Sequence, residues 1–209
     1  MNSRDEILNR IKTVRNKRSL FHSIATNSEM EIYKPILPDA LTCFKNELET
    51  VSGKCFVCEN EKDVFVQIRN FVSKRGFSYL FCKDKNLIPK LAENKIPFSA
   101  EQEDFETMQA GITSCEFLVA RTGSVMVSSA LPSGRQMYIF PPVHIVVACE
   151  SQLVNYVEDA LLAIRQEYGN VLPSAITTIT GPSRTADIEK TLVLGAHGPK
   201  EIVVFISKT

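Results

Sequence analysis

The sequence predicts an α/β fold: an open, mostly parallel sheet with helices on both faces, preceded by a helical N-terminal extension. Three observations carry that reading. Between residues 54 and 95, apolar runs of strand length alternate with stretches of helical period, the pattern of strand–helix–strand units in a parallel sheet. Residues 144–148 and 202–206 are continuous apolar runs, as strands covered on both faces must be. The chain has 209 residues, 44% of them hydrophobic, enough for one well-buried core.

The elements follow in order. Ile7, Leu8, Ile11 and Val14 at helical spacing predict an amphipathic helix over residues 3–18. Residues 19–37 have no clear period and read as an irregular connection or a short docking arm, so the extension is taken as 1–37 and the main domain as 38–209. A second helix starts at Asp39, carries Leu41, Phe44 and Leu48, and ends near Gly53. A strand over 54–58 leads to a helix over 61–74, with Val64, Ile68 and Phe71 inward and Gly76 as its stop. A strand over 77–82 and a helix over 85–95 with Leu87, Ile88 and Leu91 repeat the unit. Two apolar runs around Arg121-Thr122-Gly123 predict a hairpin. Residues 152–168 predict a helix with Leu153, Val157, Ala160, Leu161 and Ile164 on one stripe and Gly169 as its stop. Residues 175–180 and 201–206 supply the last strands, both expected to be buried.

Composition excludes several classes. The 24 basic and 24 acidic residues balance, which removes the electrostatic ground for nucleic-acid binding. The locally basic start (Arg4, Arg10, Lys12, Arg15, Lys17, Arg18) is interrupted by Asp5 and Glu6 and reads as a solvated helix face. No apolar h-region follows the N-terminal charges, and no run approaches the roughly 18 apolar residues of a membrane span; a cytoplasmic location is expected. The six cysteines are scattered, several in apolar runs such as Val147-Ala148-Cys149, and are expected to be free thiols packed as small hydrophobes. Cys55-Phe56-Val57-Cys58 is a lone CxxC without a second ligand pair. On a strand its cysteines face opposite ways, against chelation. Neither a dinucleotide fingerprint, a P-loop nor a ferredoxin-type cysteine run is present.

The densest chemistry lies near the end. Gly181-Pro182-Ser183-Arg184-Thr185-Ala186-Asp187-Ile188-Glu189 is followed by Gly195-Ala196-His197-Gly198-Pro199. Gly181 and Pro182 suit a turn into a helix, Ser183 or Thr185 suits its cap, and Asp187 and Glu189 suit its first turns. All of that is architecture. Arg184 is the exception, because a cation at a helix start opposes the dipole unless an anion sits beside it. This predicts an anion cradle built from Gly181, Ser183, Arg184, Thr185, Asp187, Gly195, His197 and Gly198. Thr122, Gly123 and Ser124 would face it as a nest of backbone and hydroxyl groups. Histidine is the side chain suited to proton transfer near neutral pH, so His197 is the candidate acid–base group.

The run 181–199 resembles the signature of the LUD domain family, most closely its lactate utilization protein C (LutC) branch. Gly111-Ile112-Thr113, Thr122-Gly123-Ser124 and Pro141-Pro142-Val143-His144-Ile145 fall in the order that family shows. The resemblance covers about residues 40–209 and implies a NagB/RpiA/CoA-transferase-like sheet. It also implies a role in oxidising L-lactate to pyruvate alongside LutA/LutB-like iron–sulfur oxidoreductase subunits. Iron–sulfur clusters are then expected in those partners, with no cofactor in this chain and a small anionic metabolite as ligand. Related CoA-transferases use a Glu nucleophile, which makes Glu116 a second catalytic candidate; its position reads as an exposed strand-end acid. Arg121 stands where many relatives carry an acid, and is expected to add positive charge near the pocket. Two other readings remain open here: a stand-alone CoA-transferase-like or cyclo-ligase-like enzyme on a carboxylate or phosphorylated metabolite, and a non-catalytic metabolite-binding module.

Overall fold

The computed structural model of the chain describes residues 3–15, 35–101, 108–185 and 193–208. They fall into two units, 1–35 and 36–209. In the first, α1 (Ser3–Arg15) leaves Ile7, Leu8 and Ile11 exposed. Of the irregular stretch 19–37, residues 19–34 lie outside the described residues.

In the second unit, strand β12 (Glu201–Ser207) shows how sequence fixes the layers. Side chains alternate across a strand. Val203 and Phe205 enter one apolar cluster, while Ile202, Val204 and Ile206 enter another, and all five are buried. A strand apolar at every position is stable only in the middle of a sheet with both faces covered.

Its sheet has six strands, all parallel. They are β1 (Lys54–Cys58), β2 (Leu80–Phe81), β3 (Phe98–Ser99), β4 (Ala110–Thr113), β7 (Val143–Cys149) and β12, in the order β1-β12-β7-β4-β2-β3. One face is covered by α3 (Glu61–Arg75) and α4 (Ile88–Glu93) through Val64, Phe65, Ile68, Val72 and Leu91. Asn60 caps α3 by accepting from the Asp63 N–H, and Gly76 ends it in the left-handed region at φ 66°.

The other face carries α2 (Ala40–Thr50) and a second, mixed sheet. That sheet contains β5 (Phe117–Val119), β6 (Ser124–Ser128), β8 (Leu153–Val154) and β9 (Ile176–Ile179), ordered β8-β5-β6-β9. α5 (Val157–Tyr168) packs Ala160 and Ile164 against Val119 and Met126. A two-stranded antiparallel ribbon, β10 (Arg184–Thr185) with β11 (Val193–Leu194), completes the chain.

The α/β class and the parallel sheet thus agree with the sequence, and the hairpin around residues 121–123 is formed by β5 and β6. Four elements differ. The helix expected from residue 152 begins at Val157, because Leu153 and Val154 are extended and pair with β5. Leu161 is exposed and not part of the core stripe. The strand over 77–82 is reduced to two residues, and the helix over 85–95 to Ile88–Glu93. The strand near residue 177 belongs to the second sheet, where it pairs antiparallel with β6 and is only half-buried.

Candidate functional site

Of the C-terminal motif at 181–189, the described residues are 181–185, and they are not helical. Arg184 and Thr185 are extended and pair with Leu194 and Val193. Asp187, with Glu189, lies outside the described residues. The two halves of the motif are joined through their backbone: the Ser183 N–H donates to the Pro199 carbonyl at 2.8 Å, and the Gly195 N–H donates to the Ser183 carbonyl at 2.9 Å. A Cβ on Gly198 would lie 3.2 Å from that of Ser183. The two halves of the motif therefore do meet, as the sequence suggested, but as paired strands and turns.

Arg184 loses the role that the dipole argument gave it. Its Nη2 donates to the Val51 carbonyl at 2.6 Å and to the Ser52 hydroxyl at 2.7 Å. A cation at a helix C-terminus complements the dipole and the orphan carbonyls. Gly181, at φ 81°, sits so close that a Cβ would fall 2.6 Å from the Val51 carbonyl oxygen. Gly123, at φ 58°, approaches the same helix, where a Cβ would fall 2.1 Å from the Leu48 nitrogen. The Ser124 hydroxyl joins those of Thr122 and Thr180, each at 2.7 Å. Thr122, Gly123, Ser124, Gly181 and Arg184 are thus gathered around the end of α2. Arg121 also faces that helix, with its Nη1 3.4 Å from the Glu47 carboxylate.

What the motif leaves open to solvent is the turn 195–198. His197 is exposed there, beside a shallow depression of about 380 Å³ lined also by Ile139 and Phe140. This surface is at the N-terminal edge of the parallel sheet. The Lys200 and Glu201 N–H groups both donate to the Pro142 carbonyl, just before β12 and β7 begin.

The motifs of β4 and β7 explain one another by register. Gly111 pairs with His144, and a Cβ on Gly111 would fall 2.5 Å from the Pro141 ring. Thr113 Oγ1 lies 2.8 Å from His144 Nε2. The ring is fully buried, and burial lowers its pKa to about 3; its Nδ1 has no hydrogen-bond partner.

Glu116 is buried, not exposed as the sequence suggested. Its carboxylate accepts from the Ser128 hydroxyl and, at 3.0 Å, from the Tyr168 hydroxyl. Those partners lie on β6 and α5, far along the chain, so no local signal revealed them. Cys55 and Cys58 do face opposite sides of β1, one in each apolar cluster. All six cysteines are free thiols. Burial pushes Cys55 and Cys82 up to about 12 and raises Cys43, Cys58 and Cys115.

The opposite edge of the sheet was missed from sequence. There Asp84, wholly buried, accepts from the Ser114 hydroxyl at 2.6 Å and from the Asn86 N–H at 2.9 Å. Cys149 ends β7 only half-buried, and hydrogen bonds from Ser151 and, more weakly, Ser207 lower its pKa. The available signal was the polar run Glu150-Ser151-Gln152 directly after an apolar strand. Among the described residues no cluster of three or more His, Cys, Asp or Glu side chains is arranged to hold a metal. No described helix is long and apolar enough to cross a membrane.

These features define a class first: an α/β protein with a central parallel sheet and a second, mixed sheet on one face. The chain belongs to the LUD domain family, whose match spans residues 41–207. It is 38% identical over 96 residues to lactate utilization protein C of Bacillus licheniformis and 40% identical over 96 residues to that of Bacillus subtilis, each match covering 45% of this chain and 40% of the relative. An uncharacterized protein of Neisseria meningitidis is 34% identical over 121 residues, 58% of this chain and 51% of that one. The chain thus spans about half or less of the length of the curated relatives it matches. Among solved structures, a DUF162 family protein from Deinococcus radiodurans superposes with a TM-score of 0.60 at 16% identity, covering 80% of this chain and 96% of that one. That likeness concerns the fold.

Proposed function

We propose that the chain acts as a lactate utilization protein C-like subunit, working with iron–sulfur oxidoreductase subunits in the oxidation of L-lactate to pyruvate. The observation that carries this reading is the 38–40% identity to proteins of that name. The geometry of the C-terminal motif suits a subunit. Its Arg184 and Gly181 hold the fold at the end of α2, while Ile139, Phe140 and Leu194, each 44–50% exposed, accompany the open turn with His197. Exposed apolar side chains around a polar tip are what a protein contact surface presents.

The test is co-purification with the native cell's iron–sulfur oxidoreductase, together with growth on L-lactate after deletion. Association that is lost in Phe140→Asp, and a growth defect on lactate, are expected; normal growth of the deletion strain sinks the reading. A small anion at the same turn is separable by thermal shift. Stabilisation by phosphate or lactate that disappears in His197→Ala would return the turn to metabolite binding.

A further inference from the structure

Ligands of open parallel sheets bind outside the carboxyl ends of the strands, where neighbouring connections leave for opposite faces. In this fold β2 is followed by α4 on one face, whereas its neighbour β4 is followed by β5 in the sheet on the other. A crevice of about 180 Å³ opens there, lined by Asn86, Lys90, Ser114, Cys149, Gln152 and Ser207 among others. These side chains come from the ends of β4, β7 and β12 and from the segment leading into α4 and α4 itself.

The crevice is held rigidly from behind. The Ser114 hydroxyl donates its proton to buried Asp84 at 2.6 Å, so the lone pairs of its oxygen are left for a donor in the crevice. Gln152 fixes the β7 end by accepting from the Cys149 N–H at 2.9 Å and donating to the Cys115 carbonyl at 2.6 Å. The Lys90 ammonium has three N–H donors, of which the Glu61 carboxylate at the rim takes one, and the Asn86 side chain adds more. The volume of about 180 Å³ matches a ligand of a handful of heavy atoms.

We propose that this crevice binds a small monocarboxylate carrying a hydroxyl on its second carbon. Its carboxylate meets Lys90 and Asn86, and its 2-hydroxyl donates to Ser114. The choice of a 2-hydroxy acid rests on the lactate-utilization reading above, whereas the existence of the site rests on the crevice alone. Cys149, at the wall, reports occupancy. It is the half-buried thiol beside five buried ones, and Ser151 and Ser207 hold its pKa down while burial pushes the others up.

The experiment is timed iodoacetamide labelling of the full chain at neutral pH, mapped by mass spectrometry. Cys149 is expected to react first. L-lactate at ~10 times its dissociation constant slows that reaction about tenfold by mass action, while propionate, which lacks the 2-oxygen, gives little protection. Ser114→Ala and, independently, Lys90→Ala weaken protection while leaving Cys149 reactive; the second variant serves should the first fail to fold. Absence of protection by L-lactate, or equal protection by propionate, or protection unchanged in a folded Lys90→Ala and Ser114→Ala, overturns the proposal. Protection combined with normal growth of the deletion strain on lactate would overturn the pathway reading and leave the site standing.

Discussion

Arg184 is tied to Val51: its Nη2 lies 2.6 Å from the carbonyl oxygen at the C-terminal end of α2. The contact joins residues 133 positions apart and makes the most basic feature of the C-terminal motif a helix cap. Arg184→Ala removes two charge-assisted hydrogen bonds at an exposed site, with an expected cost of about 1 kcal/mol. Urea unfolding should show a lower midpoint at an unchanged m-value. Arg184→Lys should recover part of it, since a cation still faces the helix end. Unaltered stability of Arg184→Ala would mean the contact is incidental.

Gly123 should tolerate no side chain. It holds φ 58°, and a Cβ would lie 2.1 Å from the Leu48 nitrogen and 2.5 Å from the Glu47 carbonyl carbon. Those atoms are helical backbone and cannot move aside as a flexible side chain could. Gly123→Ala is therefore expected to cost at least about 2 kcal/mol, from left-handed strain and displacement of α2 together. Gly134 is the internal comparison: it has φ 65° but open space around it, so Gly134→Ala carries the strain without the collision. Equal stability of the two variants would contradict this account.

The same contrast explains what the sequence made legible. The parallel sheet was readable because burial on both faces leaves runs such as Val203–Ile206 with no polar break, and α3 because its cap, apolar spacing and Gly76 all lie within the helix's own sequence. At 181–185, Gly-Pro-Ser followed by acids satisfies the chemistry of a helix start, whereas Arg184 and Thr185 are extended. What decides their conformation is pairing with Val193 and Leu194, a contact that leaves no periodic trace in so short a strand. Arg121 and Glu116 carry the same lesson. They face Glu47 on α2 and hydroxyls on β6 and α5, respectively, and nothing local to either residue announces those partners.

Glu116 is expected to matter for stability. With Ser128 and Tyr168 both donating to one buried carboxylate oxygen, Glu116→Ala strands two hydroxyls and should cost about 2–3 kcal/mol. Glu116→Gln keeps an acceptor and should cost less. Burial, with Glu116 adding to it, raises the Tyr168 pKa above its ordinary 10. The stabilisation is then fully present below pH 10 and fades as pH rises through the raised folded value. Tyr168→Phe should remove this alkaline fade. An alkaline limb that is the same in wild type and Tyr168→Phe would exclude the phenol as its source.

His144 should govern the acid limb. The ring is buried between strands, bonds Thr113 through Nε2, and has its pKa lowered by burial from 6.5 to about 3. The unfolded chain therefore takes up a proton near pH 6.5 that the folded chain refuses until about pH 3. Stability carried by the neutral ring is complete above the unfolded value and drains as pH falls toward the folded one, at about 1.4 kcal/mol per pH unit. Between pH 7.5 and 5, before most carboxylates titrate, the wild type should lose about 2 kcal/mol. His144→Gln can still bond Thr113 but cannot titrate, so its denaturant midpoint should stay nearly flat over the same interval even if its stability at pH 7.5 is lower. Parallel pH profiles for the two proteins would falsify the assignment, because no change in packing alone removes a titration.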